Sequence, residues 1–215
     1  MASRNLSGLP TIETLKKLTQ SLAMLDAIIE REWDYRYYSF NSKWAPNELM
    51  ASMRNGQGDA WFCGFGTAGV FLKGFDHESV MSPWNANPPK VWSGVLESVP
   101  EAFKSFATEP AFSMGNTTFC IWRAIDDSMW NAGNISYPNG DDPDGSEWML
   151  SILDGNPSAY KDWAENYYER PISLSGVEKI YEYSHLTPET LRELNPNIDF
   201  ATILADAEEI GYPIG

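Results

Sequence analysis

Apolar residues at helical spacing mark the beginning of the chain. Five of them recur every three or four positions: Leu15, Leu18, Leu22, Leu25 and Ile29. With Thr11 as a candidate N-cap, this spacing predicts an amphipathic helix over residues 11–31 that turns one face toward a core. The same residues also fit a short heptad seam, which covers fewer than three heptads.

Between residues 35 and 137 the pattern changes to short aromatic and β-branched runs separated by tight turns. The runs lie at residues 35–40, 48–54, 60–65, 70–75, 117–123 and 130–137. Asn55-Gly56 is a hairpin signal. Connections of a few residues join antiparallel strands but are too short for parallel crossovers, so we expect an antiparallel meander of about five to six strands.

Helical signals fill most of the remaining chain. Two short helical pieces are predicted at residues 94–99 and 100–107, after an irregular, proline-rich connection over residues 79–92. From residue 141 to 211, helix starts are predicted at Asn156-Pro157, at Thr187-Pro188 and near Asp199, and Asp144 and Glu147 have capping-box spacing. We therefore predict one α+β domain over residues 1–215, in which the first helix and the C-terminal helices cover mainly one face of the sheet.

Composition narrows the range of partners. Thirty acidic and fifteen basic side chains give a net charge of -15, which disfavours nucleic acid and anionic membranes and favours a basic protein partner. No apolar run approaches about 18 residues, and no signal peptide is evident at the beginning. The two cysteines do not form a disulfide framework, so a cytoplasmic location is expected.

The acidic excess is uneven along the sequence. Residues 1–125 hold 12 acids and 11 bases, a balance of -1, whereas residues 126–215 hold 18 acids and 4 bases, a balance of -14. Either this part is a solvated, solubilising surface, or it is a partner-binding surface that includes Asp206, Glu208 and Glu209. Loop tryptophans are further candidate anchors for a partner: Trp84, Trp92 and Trp130.

Catalytic motifs are scarce. Asp76-His77-Glu78 places two carboxylates beside one of only two histidines and is the one weak candidate for a metal site. The acidic loop over residues 141–147 lacks the register of a calcium-binding EF-hand loop. No phosphate-binding glycine motif or serine nucleophile elbow is present, and Cys63 and Cys120 lie in predicted strands, where a buried thiol is expected. We therefore expect no cofactor and no enzymatic activity.

These features predict an acidic, cytoplasmic binding protein that engages a basic protein partner. In general profile, being small, acidic, α+β and rich in tryptophan, the chain resembles the bacterial immunity proteins that neutralise basic toxins. No motif carries that resemblance, so it assigns no residue a role. Two alternatives stay open, a metal-dependent hydrolase using Asp76, His77 and Glu78, and a structural homo-oligomer joined through the first helix. The sequence leaves the oligomeric state open.

Overall fold

The computed structural model describes residues 2–215, in which a first helix is followed by a strand-rich region and then by a run of helices. Among these residues the α-helices are α1 (Ile12–Ile29), α2 (Lys104–Ala107), α3 (Ser146–Leu150), α4 (Pro157–Tyr168), α5 (Leu174–Tyr181), α6 (Pro188–Leu194) and α7 (Phe200–Ile210). The strands are β1 (Tyr38–Ala45), β2 (Glu48–Arg54), β3 (Ala60–Gly66), β4 (Gly69–Phe75), β5 (Phe119–Ala124) and β6 (Asn131–Ala132).

The strands form one open sheet in chain order, β1-β2-β3-β4-β5-β6. β3, β4, β5 and β6 pair antiparallel, with Cys63 opposite Leu72 and Leu72 opposite Ile121. All three of these side chains are fully buried. The predicted α+β class with an antiparallel meander is therefore confirmed. Short turns favour pairing of neighbouring strands from β1 to β4, whereas β5 pairs with β4 across the long connection over residues 76–118.

Local capping determines where the C-terminal helices begin. The side chains of Asn156, Thr187 and Asp199 accept hydrogen bonds from backbone amides in the first turns of α4, α6 and α7. These bonds satisfy amides that have no partner within the helix. All three predicted helix starts are therefore confirmed, whereas α5, which is capped by Ser173, was not predicted.

Three predicted elements differ in the structure. The first strand, predicted over residues 35–40, is Tyr38–Ala45, and Trp33–Tyr35 form a short 3-10 helix. Residues 94–99 form turns rather than a helix, and the predicted strand over residues 130–137 shortens to Asn131–Ala132. Gly94 and Gly133 bring these two segments into close backbone contact, because a Cβ on Gly94 would lie 2.2 Å from the carbonyl oxygen of Asn134 and one on Gly133 would lie 1.8 Å from that of Gly94. Only glycine leaves room for so close an approach at these two positions.

The chain groups into two compact units, each built from two separate segments. Unit 1 comprises the residues up to Ile12 and Ser52–Asp154, and unit 2 comprises Glu13–Ala51 and Gly155–Gly215. Large buried side chains fill unit 1, including Trp61, Phe71, Phe103, Phe112 and Phe119, and unit 2 buries Leu15, Leu22, Met24 and Tyr160. The single domain over residues 1–215 stays a prediction.

None of the helices within residues 2–215 has the length and apolar character needed to cross a lipid bilayer.

Candidate functional site

An acidic cleft of about 310 Å³ lies in unit 1, where the segment after β4 meets the loop before α3. Five carboxylate side chains line it: Asp59, Asp76, Glu78, Asp141 and Asp142. Val80 and Trp148 contribute apolar surface, and no described lining residue is basic. The cleft therefore concentrates negative charge beside an aromatic ring.

Three hydrogen bonds orient Asp76 at the end of β4. One carboxylate oxygen accepts hydrogen bonds from the backbone amides of Glu78 and Ser79, at 3.0 and 3.1 Å. The other oxygen accepts a bond from the indole Nε1 of Trp148 at 3.0 Å. These bonds orient Asp76 and fix the half-exposed Trp148 ring at the cleft wall.

Gly145 allows the loop before α3 to approach Asp76. Its backbone has a φ of +75°, and a Cβ at this position would lie 2.3 Å from Oδ2 of Asp76. Glycine is the residue that adopts this conformation without strain and leaves room for the carboxylate. The Asp-Gly step in the loop is thus part of the construction of the cleft.

Asp142 and Asp144 share the first amides of helix α3. The two carboxylate oxygens of Asp142 accept the amides of Glu147 and Trp148, each at 3.0 Å. Asp144 is fully buried and accepts hydrogen bonds from Ser146 and from the hydroxyl of Ser3. The predicted Asp144–Glu147 capping box is therefore wrong, because the buried serines occupy the Asp144 carboxylate.

His77 forms a close pair with Asp59, which lies just before β3. The Nδ1 atom of His77 is 2.6 Å from Oδ1 of Asp59, and the backbone amide of His77 donates to the same oxygen at 2.8 Å. The hydrogen bond to Asp59 raises the pKa of His77. Burial raises the pKa of Asp59, but the bonds from the His77 amide and ring and from Asn55 outweigh it and hold that pKa below its usual value.

The possible metal ligands in the structure differ from the set Asp76, His77 and Glu78 that the sequence indicates. Ligand atoms of Asp59, Asp76 and His77 all lie within 4.8 Å of one another. Glu78 lines the cleft but lies outside this cluster. Asp59 was missed because 16 residues separate it from Asp76 in the chain. The β3–β4 hairpin could have revealed the proximity of Asp59 and Asp76, because its register places Ala60 opposite Phe75.

The carboxylates predicted on the C-terminal helix have partners within unit 2. Asp206 forms ion pairs with Arg31 at 2.8 Å and Arg36 at 2.7 Å, and Glu208 pairs with Lys43 at 2.7 Å. Glu209 is exposed. Two of the three predicted binding residues thus pair with bases that lie far away in sequence, although the Lys43–Glu208 pair is exposed and therefore weak.

Of the three tryptophans predicted to anchor a partner, two are exposed and one is buried. Trp84 is 63% exposed, and Trp92 is 36% exposed with its indole donating to the Ser136 carbonyl. Trp130 was predicted to be a surface anchor but is 3% exposed, and its indole donates to the Pro10 carbonyl. Trp148, which was not among the three predicted anchors, is 41% exposed and forms a wall of the cleft.

The two cysteines and a second cavity are further candidates for a functional site. Cys63 and Cys120 are free, fully buried thiols, and burial raises the pKa of both, so they are poor nucleophiles. A larger cavity of about 560 Å³ lies in unit 2. Its charge is mixed, because Lys17 on its wall pairs with Glu13 at 3.0 Å.

Comparison with protein-family models, with curated proteins and with solved structures finds no match to this chain. The acidic cleft is therefore interpreted from its own geometry and chemistry.

Proposed function

We propose that this protein binds a basic protein partner, and that the acidic cleft of unit 1 receives a cationic side chain of that partner. One observation carries the proposal: five carboxylates surround an open cleft in which no described lining residue is basic. Carboxylates grouped in this way attract cations and accelerate association with a positively charged protein. Arg4 lies beside the cleft, where it donates to the carbonyl of the lining residue Gly140 at 3.3 Å.

The walls of the cleft favour arginine over lysine. A guanidinium group binds carboxylates through two parallel hydrogen bonds and also stacks on aromatic rings. The cleft offers both features, since carboxylates and the 41% exposed Trp148 ring line the same cleft. Val80, at 55% exposure, adds an apolar edge against which the stem of the side chain would pack.

This proposal moves the binding surface away from the C-terminal helix. Asp206 and Glu208 already pair with arginine and lysine side chains of unit 2, so a partner would have to compete with these bonds. The cleft carboxylates Glu78 and Asp141 are exposed. Because they face no described basic lining residue, they are the better candidates for first contact.

We also propose that the protein acts in the cytoplasm and neutralises a basic toxin. An acidic cleft is suited to masking a basic functional surface on a toxin, as the general resemblance to immunity proteins implies. The two free, buried cysteines are in keeping with a reducing compartment.

The alternatives have less support. A metal-dependent hydrolase using Asp76, His77 and Glu78 has less support because Glu78 lies outside the cluster of ligand atoms. This alternative stays a prediction. A homo-oligomer joined through α1 would need an exposed helix face, yet every residue from Leu18 to Ile29 is buried within the chain.

A charge-matched pair of double variants tests the binding proposal. The probe is a fluorescently labelled hexa-arginine peptide, and its affinity is measured by anisotropy at low and high salt. Glu78→Gln with Asp141→Asn removes two charges at the cleft, and Glu208→Gln with Glu209→Gln removes two at α7. We expect the cleft variant to weaken binding by about 10-fold and the α7 variant by less than about 2-fold.

Two results would count against the proposal. Equal weakening by both double variants would mean that the peptide responds to net charge rather than to the cleft. A wild-type protein that does not bind the peptide at low salt would remove the basis for a basic partner.

A further inference from the structure

A histidine and two aspartates of unit 1 bring three possible metal ligands together. Their ligand atoms lie within 4.8 Å of one another. Two atoms that bind one metal ion at about 2.0–2.2 Å can be at most about 4.4 Å apart. Small side-chain rotations of Asp59, Asp76 and His77 would therefore place all three on one ion.

Local structure orients these ligands before any ion binds. Asp76 is oriented by the Glu78 and Ser79 amides and by the Trp148 indole. Asp59 is oriented by the His77 amide and by the Asn55 side chain, whose Nδ2 is 2.5 Å from Oδ2. Neighbouring hydrogen bonds of this kind orient ligands in metal sites and increase affinity.

The ligand set also indicates the kind of metal. One imidazole nitrogen with two carboxylates suits a first-row divalent transition metal such as Zn²⁺, whereas Mg²⁺ and Ca²⁺ prefer oxygen ligands only. The side chain of His77 is 42% exposed, so an ion can reach it and further positions stay open to water or a ligand. The buried thiols of Cys63 and Cys120 do not compete for the metal.

We propose that Asp59, Asp76 and His77 form a binding site for a divalent transition-metal ion, with Zn²⁺ bound more tightly than Mg²⁺. Nδ1 of His77 and Oδ1 of Asp59 are 2.6 Å apart in a hydrogen bond, so metal binding breaks this bond and moves the two atoms apart. Nδ1 then carries no proton and binds the ion, and the ring keeps its proton on Nε2. Asp59 and Asp76 also line the cleft proposed to receive an arginine, whereas His77 does not. Metal binding is therefore measured without the arginine peptide, and loss of affinity in His77→Ala tests the metal site separately from the binding proposal.

The two histidines of the chain make a sharp test possible. Zn²⁺ binding is measured by isothermal titration calorimetry in excess Mg²⁺, which occupies oxygen-only acidic sites. We expect one Zn²⁺ per chain in the wild type and a loss of affinity of at least about 10-fold in His77→Ala. His185→Ala is the matched control, since His185 is exposed and its removal should leave the affinity unchanged.

Paramagnetic Co²⁺ provides a second readout that needs no variant. It should broaden the ring signals of His77 in the proton NMR spectrum and leave those of His185 sharp. The conservative variant Asp76→Asn keeps the size of the side chain and should also weaken Zn²⁺ binding, with helix content checked by circular dichroism. No Zn²⁺ binding by the wild type, full affinity in His77→Ala, or broadening of His185 alone would overturn the assignment.

Discussion

At the scale of single residues, Gly145 determines how closely the loop before α3 approaches Asp76. A comparison with Gly155 isolates this contact, because the two glycines have nearly the same φ, +75° and +78°. Nothing lies within 4 Å of a Cβ on Gly155, whereas one on Gly145 would overlap the Asp76 carboxylate. The two positions share the backbone strain of an L-residue and differ in the contact.

We expect Gly145→Ala to destabilise the protein more than Gly155→Ala does. The control should lose about 1 kcal/mol from strain, and Gly145→Ala should lose at least about 1 kcal/mol more because Asp76 must move. Urea unfolding of both variants gives the two free energies. Equal losses would mean that Asp76 moves aside without penalty.

Asp26 is a second residue whose surroundings matter more than its position in the sequence. It is fully buried in unit 2 and accepts hydrogen bonds from the Tyr160 hydroxyl at 2.7 Å and from the Tyr37 and Tyr38 amides, both at 2.8 Å. The rings of Tyr37, Tyr38 and Tyr160 all contact Trp163. Burial raises the pKa of Asp26 to about 6, against the lowering effect of these hydrogen bonds.

The raised pKa of Asp26 predicts how stability depends on pH. Between its unfolded pKa, about 3.9, and its folded value of about 6, the folded state holds the proton and the unfolded state has lost it. The Asp26 contribution to the unfolding free energy therefore falls as pH rises through this window, by at most about 1.4 kcal/mol per pH unit.

The stability difference between the wild type and Asp26→Asn isolates this contribution from other carboxylates. We expect the wild type to lose about 2 kcal/mol relative to the variant between about pH 4.5 and 7.5. Chemical unfolding across this range measures the difference. A difference that does not change with pH would show that Asp26 titrates at its ordinary value.

At the scale of elements, Gln20 joins α1 to the end of α7. Its Nε2 atom donates to the carbonyls of Ile210 and Gly211, at 2.8 and 3.1 Å, and its Oε1 accepts from the Tyr183 hydroxyl at 2.8 Å. The last carbonyls of a helix have no partner within the helix. A buried glutamine of α1 therefore completes the end of α7.

We expect Gln20→Leu to lower the free energy of unfolding by about 2 kcal/mol, because buried polar groups lose their partners. Gln57→Leu is the matched control, since Gln57 is exposed in the loop between β2 and β3, and it should change stability by less than about 0.5 kcal/mol. Thermal or urea unfolding measures both. A loss of similar size in both variants would contradict the capping role.

At the scale of the whole molecule, the acidic excess is divided more evenly between the two compact units than between the two parts of the sequence. Along the sequence, the first 125 residues have a balance of -1 and the remainder has -14. In the structure, unit 1 holds 13 acids and 6 bases, a balance of -7, and unit 2 holds 17 acids and 9 bases, a balance of -8. Both units are therefore acidic to a similar degree.

This balance predicts opposite effects of salt on stability and on binding. Like-charge repulsion within each unit should be screened as sodium chloride rises from about 0.05 M to about 0.5 M, so the melting temperature should rise. Binding of the arginine peptide should weaken over the same range. Chloride is preferred to sulfate, which strengthens apolar burial on its own. A falling melting temperature would show that ion pairs such as Arg36–Asp206 outweigh the repulsion.

The sequence by itself determined the α+β class, the meander order and the starts of α4, α6 and α7. These features depend on periodicity, turns and caps, which are local in the chain. Only the tertiary structure decided which charged residues meet. It placed Asp59 beside His77, paired Asp206 with Arg31 and Arg36, and exposed Trp148 while burying Trp130. Such contacts join residues distant in sequence, and neither composition nor spacing specifies them.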